Sequence, residues 1–436
     1  MTAPLAPVDS AAPPGGVPGV APAVRPGAAP GAMPGAASGA DSAVPAAATA
    51  TAAGPVPAAG GAHLRPAVTE LRLSAYGAHR GARFALGPVT LFAGPSGSGK
   101  SQVLEAYGAL AALGAGTALE EVFPDPRARI PDRAVPDAER RRGFRIGCTV
   151  DGPAGPVRLE LAVQAEPTLR IVGERLSADG QILLGTALRD PGRRSVQAAW
   201  LTGGATGYTR APLPDDRLGT ALLPLRVAGA TEGQRRVLAA AEQVVVALRS
   251  VFPCDPRPER MREPAAQGEG RLLGDCANLA DVLRRTRLEC ATRYGLLTEA
   301  ARNGCAGPVA GLDVRVPAGG GPVTGLLDRG AVRPPTELGR LGAGELRFLS
   351  LALVLLTGPG VLAMDPAAEL LSAQQALTVL ADGFDRDLDG RQTAELLRLA
   401  VLACGRGQVR LAASVGGACA TAVRGMPGIS VVDLGA

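Results

Sequence analysis

Lysine is all but missing from this chain: Lys100 is the only one, and every other member of its 45 basic residues is an arginine. Histidine is nearly as scarce, with only His63 and His79, so no histidine lies downstream of residue 79. Aromatic residues make up 3% of the chain, too few to interleave stacking platforms with the arginine clusters at Arg140–Arg142, Arg193–Arg194, Arg235–Arg236 and Arg284–Arg285. Those clusters read as solvated faces, and a net charge of +5 permits nucleic-acid binding without demonstrating it. The seven cysteines are odd in number and scattered, with no C-x-x-C pair, so neither a zinc site nor a redox pair is indicated. Reduced thiols in a cytoplasmic protein are the expectation. Apolar runs such as Leu351–Leu356 stop far short of the ~20 residues that cross a bilayer, so no membrane partner is expected. The opening residues lack a basic segment followed by an apolar core, so export is not expected either.

Residues 1–62 consist almost wholly of Ala, Pro, Gly, Val, Ser and Thr, with Asp9, Arg25 and Asp41 as the charged exceptions. Such a segment has no large side chains to bury against the entropy of ordering, and a disordered tail is expected. Folded character begins at 63. Leu71, Leu73 and Ala75 alternate as in a strand, and a second strand is expected to run from Phe84 through Leu91 to Ala93. Alternation over 144–182, broken at Asp151-Gly152-Pro153, reads as an antiparallel hairpin sheet. Val237, Leu238, Ala241, Val244, Val245 and Leu248 fall at helical spacing, and further helices are expected near Leu283 and Leu297. From 334 onward the order helix, strand, helix, strand is that of a parallel α/β core. The expected division is a core from 63–185 and 334–436, with an insertion at about 186–333.

Gly94-Pro95-Ser96-Gly97-Ser98-Gly99-Lys100-Ser101 fits G-x-x-x-x-G-K-[ST] between an apolar strand and an amphipathic helix. That context turns backbone N–H groups and the helix dipole toward phosphates, with Lys100 on the β and γ phosphates and Ser101 on magnesium. Gly97 and Gly99 permit backbone angles and close approach that a Cβ forbids. A composition that replaced every other lysine has kept the one placed where a compact ammonium fits and a broad guanidinium does not. ATP and Mg²⁺ are therefore the expected ligands.

Downstream, Leu341-Gly342-Ala343-Gly344-Glu345 opens an apolar helix, and Val361-Leu362-Ala363-Met364-Asp365 follows as an apolar run ending in an acid. The pair resembles the signature motif and Walker B strand of ABC-type ATPase heads. Leu71-Arg72-Leu73-Ser74-Ala75-Tyr76, the approach to the loop and Leu104-Glu105-Ala106 resemble the opening of the RecF, SMC and OLD group. Asp275 to Leu283 is similar to a helix start in the RecF-like "AAA family" proteins of bacteria. The resemblance implies an α/β P-loop NTPase of the ABC-type head class, with a parallel core sheet, an antiparallel sheet lobe and a helical insertion. It also implies magnesium on Ser101 and Asp365, and an ATP-dependent homodimer in which Gly342 and Gly344 cap the other subunit's nucleotide.

The departures bear on turnover. Pro366 stands where the family has a catalytic glutamate, Gly342 replaces the signature serine, and Ala413, before Ser414, stands in for the switch histidine. Glu369 is either a displaced general base or a solvated acid at a helix start. Tyr76 is either a core aromatic or an adenine platform. Two functions follow: an ATPase with slow hydrolysis, or a non-hydrolysing scaffold that regulates an effector protein or a nucleic acid. Because the tail offers the fold no apolar surface, deleting 1–62 should leave the melting temperature and nucleotide affinity unchanged; a large drop in melting temperature would show that the tail docks.

Overall fold

In a computed structural model of the chain, residues 65–203, 207–364 and 375–435 are described, all within the second of its two compact units, Gly61–Ala436. The tail at 1–62 and the residues Asp365, Pro366 and Glu369 lie outside the described residues.

The chain begins with β1 (Ala67–Ser74), β2 (Ala82–Ala85) and β3 (Val89–Ala93), followed by α1 (Lys100–Gly114) and the single turn α2 (Leu119–Val122). Six strands come next: β4 (Arg142–Asp151), β5 (Val157–Glu166), β6 (Arg170–Ala178), β7 (Gln181–Ala187), β8 (Ser195–Leu201) and β9 (Tyr208–Pro214). A short α3 (Gly219–Leu222) leads to α4 (Glu232–Arg249), β10 (Val251–Pro253), α5 (Pro258–Met261), α6 (Leu279–Glu289) and α7 (Ala291–Gly304). Then come β11 (Gly311–Arg315), β12 (Thr324–Asp328), β13 (Thr336–Glu337), α8 (Ala343–Leu355) and β14 (Leu377–Ala381). The chain closes with α9 (Gly390–Gly405), β15 (Val409–Ser414), α10 (Gly417–Val423) and β16 (Ile429–Asp433).

The central sheet has the order β10-β14-β15-β3-β16 with every pair parallel. Its inner strands β3 and β14 are buried at every position, as a parallel sheet covered on both faces requires. Alternate side chains enter two different cores. Phe92, Leu380 and Ala412 face α1, α4 and the eight-stranded antiparallel sheet β2-β1-β4-β5-β6-β7-β8-β9. Leu91, Val379, Ala381 and Leu411 face α6, α7, α8 and α9. Local chemistry starts the helices: Thr231 Oγ1 accepts from Gln234 N at the head of α4, and Asp389 and Gln392 form a reciprocal capping box on α9.

Three expectations are corrected. The single strand expected from Phe84 to Ala93 is two strands in different sheets, because Gly87-Pro88 interrupts it and Pro88 has no N–H for a ladder. The insertion expected at about 186–333 is divided: β8 and β9 continue the antiparallel sheet, and α4 and β10 build the core. The strand expected over 361–365 is instead a 3-10 turn at Pro359–Val361 and an isolated bridge from Leu362 to Leu272. A hairpin β11-β12 extended by β13 forms a third sheet beside α6 and α7.

Trp200 is buried in the first core, and the cysteines follow the same partition. Burial pushes the Cys148, Cys305 and Cys404 thiols up to about 12 and that of Cys419 to about 11. Each is then protonated and inert at neutral pH. Cys290 is the one half-buried cysteine. In native protein at neutral pH a thiol reagent should modify Cys290 first, and all seven cysteines only after unfolding; mass spectrometry of the labelled peptides reads the order.

Candidate functional site

The loop Gly94–Ser101 joins the buried end of β3 to the start of α1. Gly94, Gly97 and Gly99 have φ of 143°, 83° and 91°, a region that favours glycine. A Cβ on Gly94 would fall 2.8 Å from Ser98 Oγ, and one on Gly99 would fall 2.5 Å from His79 Nε2. At Gly97 nothing lies within 4 Å, so there the backbone angle alone makes the demand. Lys100 Nζ donates to Gly94 O at 2.7 Å and Pro95 O at 3.0 Å, which holds the lone ammonium over the loop. No side chain caps α1 and no acid stands in its first turn, so its N–H groups and positive dipole end are left for an anion.

A hairpin turn buttresses this loop. Tyr76 and His79 bridge each other, His79 Nε2 donates to Gly99 O at 3.1 Å, and Gln102 Oε1 accepts from Ala78 N at 2.8 Å. The Tyr76 ring is fully buried, edge-on to Phe144 with centroids 5.1 Å apart, and burial raises its hydroxyl pKa. It is a core aromatic and presents no face to a base.

Across the sheet, the acid that meets the loop is Asp382, one residue beyond β14. Its Oδ1 accepts from Ser101 Oγ at 3.1 Å and from Ser414 Oγ at 2.5 Å, while Ser414 Oγ also accepts from Gly383 N at 2.7 Å. Ser414 ends β15, directly between β14 and β3, so a serine rather than Ala413 reaches the carboxylate. Asp365 and Glu369, expected as metal ligand and base, lie outside the described residues. Between α8 and α9 the chain has two apolar runs that end in an acid, Val361–Asp365 and Ala376–Asp382, and the second forms a strand of the core sheet. Directly after Asp382 comes Gly383, with no side chain for proton transfer.

Gly342 and Gly344 stand at the head of α8. Glu345 Oε2 accepts from Gly342 N at 3.1 Å, and a Cβ on Gly344 would strike Asp387 O at 2.2 Å. One turn on, the buried Arg347 donates to Pro256 O at 2.6 Å and to Gly383 O at 3.0 Å. Sequence reasoning missed His79, Asp382, Ser414 and Arg347. Only Asp382 had a readable signal, the apolar run that precedes it.

The donor set suits magnesium. A hydroxyl and a carboxylate meet at a helix N-terminus, and Mg²⁺ takes one or two such oxygens while keeping waters and substrate phosphates. Among the described residues no group of three or more His, Cys, Asp or Glu could hold a metal by itself.

Comparison with known proteins gives no matching family model and no matching curated protein. Among solved structures, the Smc head bound to the C-winged helix domain of ScpA is 12% identical over 80% of this chain and 90% of that one, with a TM-score of 0.44. The SMC head domain of Thermotoga maritima is 12% identical over 81% and 90%, at 0.36. The Smc head with an extended coiled coil bound to the C-terminal domain of ScpA, from Pyrococcus furiosus, is 10% identical over 82% and 91%, at 0.41. Likenesses this distant carry nothing toward function. The architecture and the loop define an α/β P-loop NTPase fold, an ABC-type head with a parallel core sheet, an antiparallel sheet lobe and helices.

Proposed function

We propose that this chain binds MgATP at Gly94–Ser101, with Lys100 on the β and γ phosphates and Ser101 and Asp382 holding magnesium, in the manner of RecF- and SMC-like heads. The observation that carries the reading is the Ser101–Asp382 hydrogen bond at the foot of a loop bearing the chain's sole lysine. Magnesium, when bound, neutralises phosphate charge; the chain's own groups orient the nucleotide through the loop amides and Lys100. Gly342 and Gly344, at the head of α8, suit the cap of a second copy's nucleotide in an ATP-dependent homodimer. Hydrolysis is slow, because Gly383 leaves no base directly after Asp382, the place where the resemblance puts a glutamate. The rival, a non-hydrolysing scaffold, is separated by steady-state phosphate release. Both readings place the protein in the cytoplasm. By calorimetry, Lys100→Ala and Lys100→Arg should each weaken ATP binding, and Asp382→Asn should abolish its magnesium dependence while Asp365→Asn does not. The reverse order for the two aspartates would return the metal to Asp365, and wild-type affinity in both Lys100 variants would remove the site from this loop.

For the partner, the solvent face of the eight-stranded sheet favours a nucleic-acid backbone over an effector protein. Arg83 and Arg72 face each other across β2 and β1, and the same row continues through Gly147 and Glu160 to Arg175. Arg145 stands in the next row, opposite Ser74. Together they rim a groove of about 490 Å³ whose walls include Gly147, Gly173 and Gly185. Arg72 is spent on Cys148 O and Thr149, but the exposed Arg83, Arg145 and Arg175 have no hydrogen-bond or ion-pair partner among the described residues. Phosphates are the complement such unspent guanidinium groups lack. Duplex DNA should bind with an affinity that falls steeply with salt, and Arg83→Glu, Arg145→Glu and Arg175→Glu combined should abolish binding without changing ATP affinity. Unaltered anisotropy titrations in the triple variant would exclude the groove.

A further inference from the structure

We infer that Asp255 is the carboxylate that receives the proton of the attacking water, in place of the missing glutamate. The inference rests on the MgATP reading above.

A cavity of about 490 Å³ runs beside α1 from Ser101, and three carboxylates line it: Glu105, Asp255 and Asp382. Asp382 is committed, since both Ser101 and Ser414 donate to its Oδ1. Glu105 is paired with Arg129. Asp255 is left. Its nearest cations, Arg257 Nε at 3.6 Å and Arg347 Nη1 at 3.8 Å, stand beyond hydrogen-bond distance, so its oxygens can accept from water.

Its position follows from register. β10 is the strand next to β14, parallel to it, with Pro253 opposite Leu380, and Cys254 N donates to Leu380 O at 2.7 Å. Two residues beyond that pair, the neighbouring strands present Asp255 and Asp382 at the same end of the sheet. A single guanidinium then ties the two acid-bearing loops together. Arg347 donates to Pro256 O and to Gly383 O, the carbonyls of the residues that follow Asp255 and Asp382. Asp255 N is itself anchored to Gly274 O at 2.8 Å. A half-buried carboxylate thus lines the same cavity as the metal-side acid, at the same end of the sheet.

The step is hydrolysis. The water oxygen forms a bond to the γ phosphorus, and the bond from that phosphorus to the bridging oxygen breaks with its electron pair leaving on ADP. The water proton passes to Asp255 and then to solvent, giving ADP and inorganic phosphate.

Rapid-quench single turnovers and calorimetric MgATP titrations on the full chain test this. Asp255→Asn should slow the cleavage step by ~10²-fold or more and leave MgATP affinity unchanged. Asp255→Glu should restore part of the rate, which a merely structural aspartate would not do, and Glu105→Gln should cleave at the wild-type rate. Cleavage by Asp255→Asn at the wild-type rate overturns the inference, as does a wild type that binds MgATP without cleaving it. A wild type that fails to bind MgATP overturns the nucleotide reading together with it.

Discussion

Everything at this site hangs on one carboxylate oxygen that accepts from two hydroxyls. Asp382 Oδ1 takes hydrogen bonds from Ser101, 281 residues earlier in the chain, and from Ser414. That geometry requires β3, β14 and β15 to end at one level, and the parallel pairing of Ala381 with Ala413 and of Ser414 with Phe92 sets that level. A slip of one residue would turn each strand's alternating side chains into the wrong core. The two cores on either face of the sheet therefore protect the site.

The phosphate loop was legible because everything it needs is local: an apolar strand, three glycines, one lysine and a helix start lie in consecutive order. The acid opposite it was not, since its identity depends on which of two acid-terminated runs joins the sheet. Val361–Asp365 is as apolar as Leu377–Asp382. Only pairing with β10 and β15 distinguishes them, and pairing is a non-local property. The break between β2 and β3 was readable in Gly87-Pro88, where proline cannot serve a central strand. The continuation of the antiparallel sheet into β8 and β9 was harder, since intervening loops hide which strands share hydrogen bonds. Tyr76 shows the limit from the other side: nothing in its sequence neighbourhood tells a core ring from a stacking platform, whereas its packing on Phe144 does.

Arg347 links the helix that starts at Gly342 to both acid-bearing loops. Its side chain is 3% exposed and its Nε has no hydrogen-bond partner among the described residues, and burial pulls its pKa below the usual arginine value. Such a group is costly to bury unless the carbonyls around it are held in place. Pro256 O and Gly383 O supply that, so any displacement of α8 draws on the loops bearing Asp255 and Asp382. Glu345 extends the connection on the same helix, accepting from Gly342 N and from Ala306 N at the end of α7.

The solitary lysine also makes the chain an unusual chemical object. Apart from the α-amino group, its only aliphatic amine is the one folded over Gly94 and Pro95. An acyl donor therefore cannot modify a surface lysine harmlessly, because there is none to modify. Among side chains, acetylation, ubiquitin attachment and amine-directed cross-linking all converge on the phosphate loop, and a bound nucleotide would shield its own site from each of them.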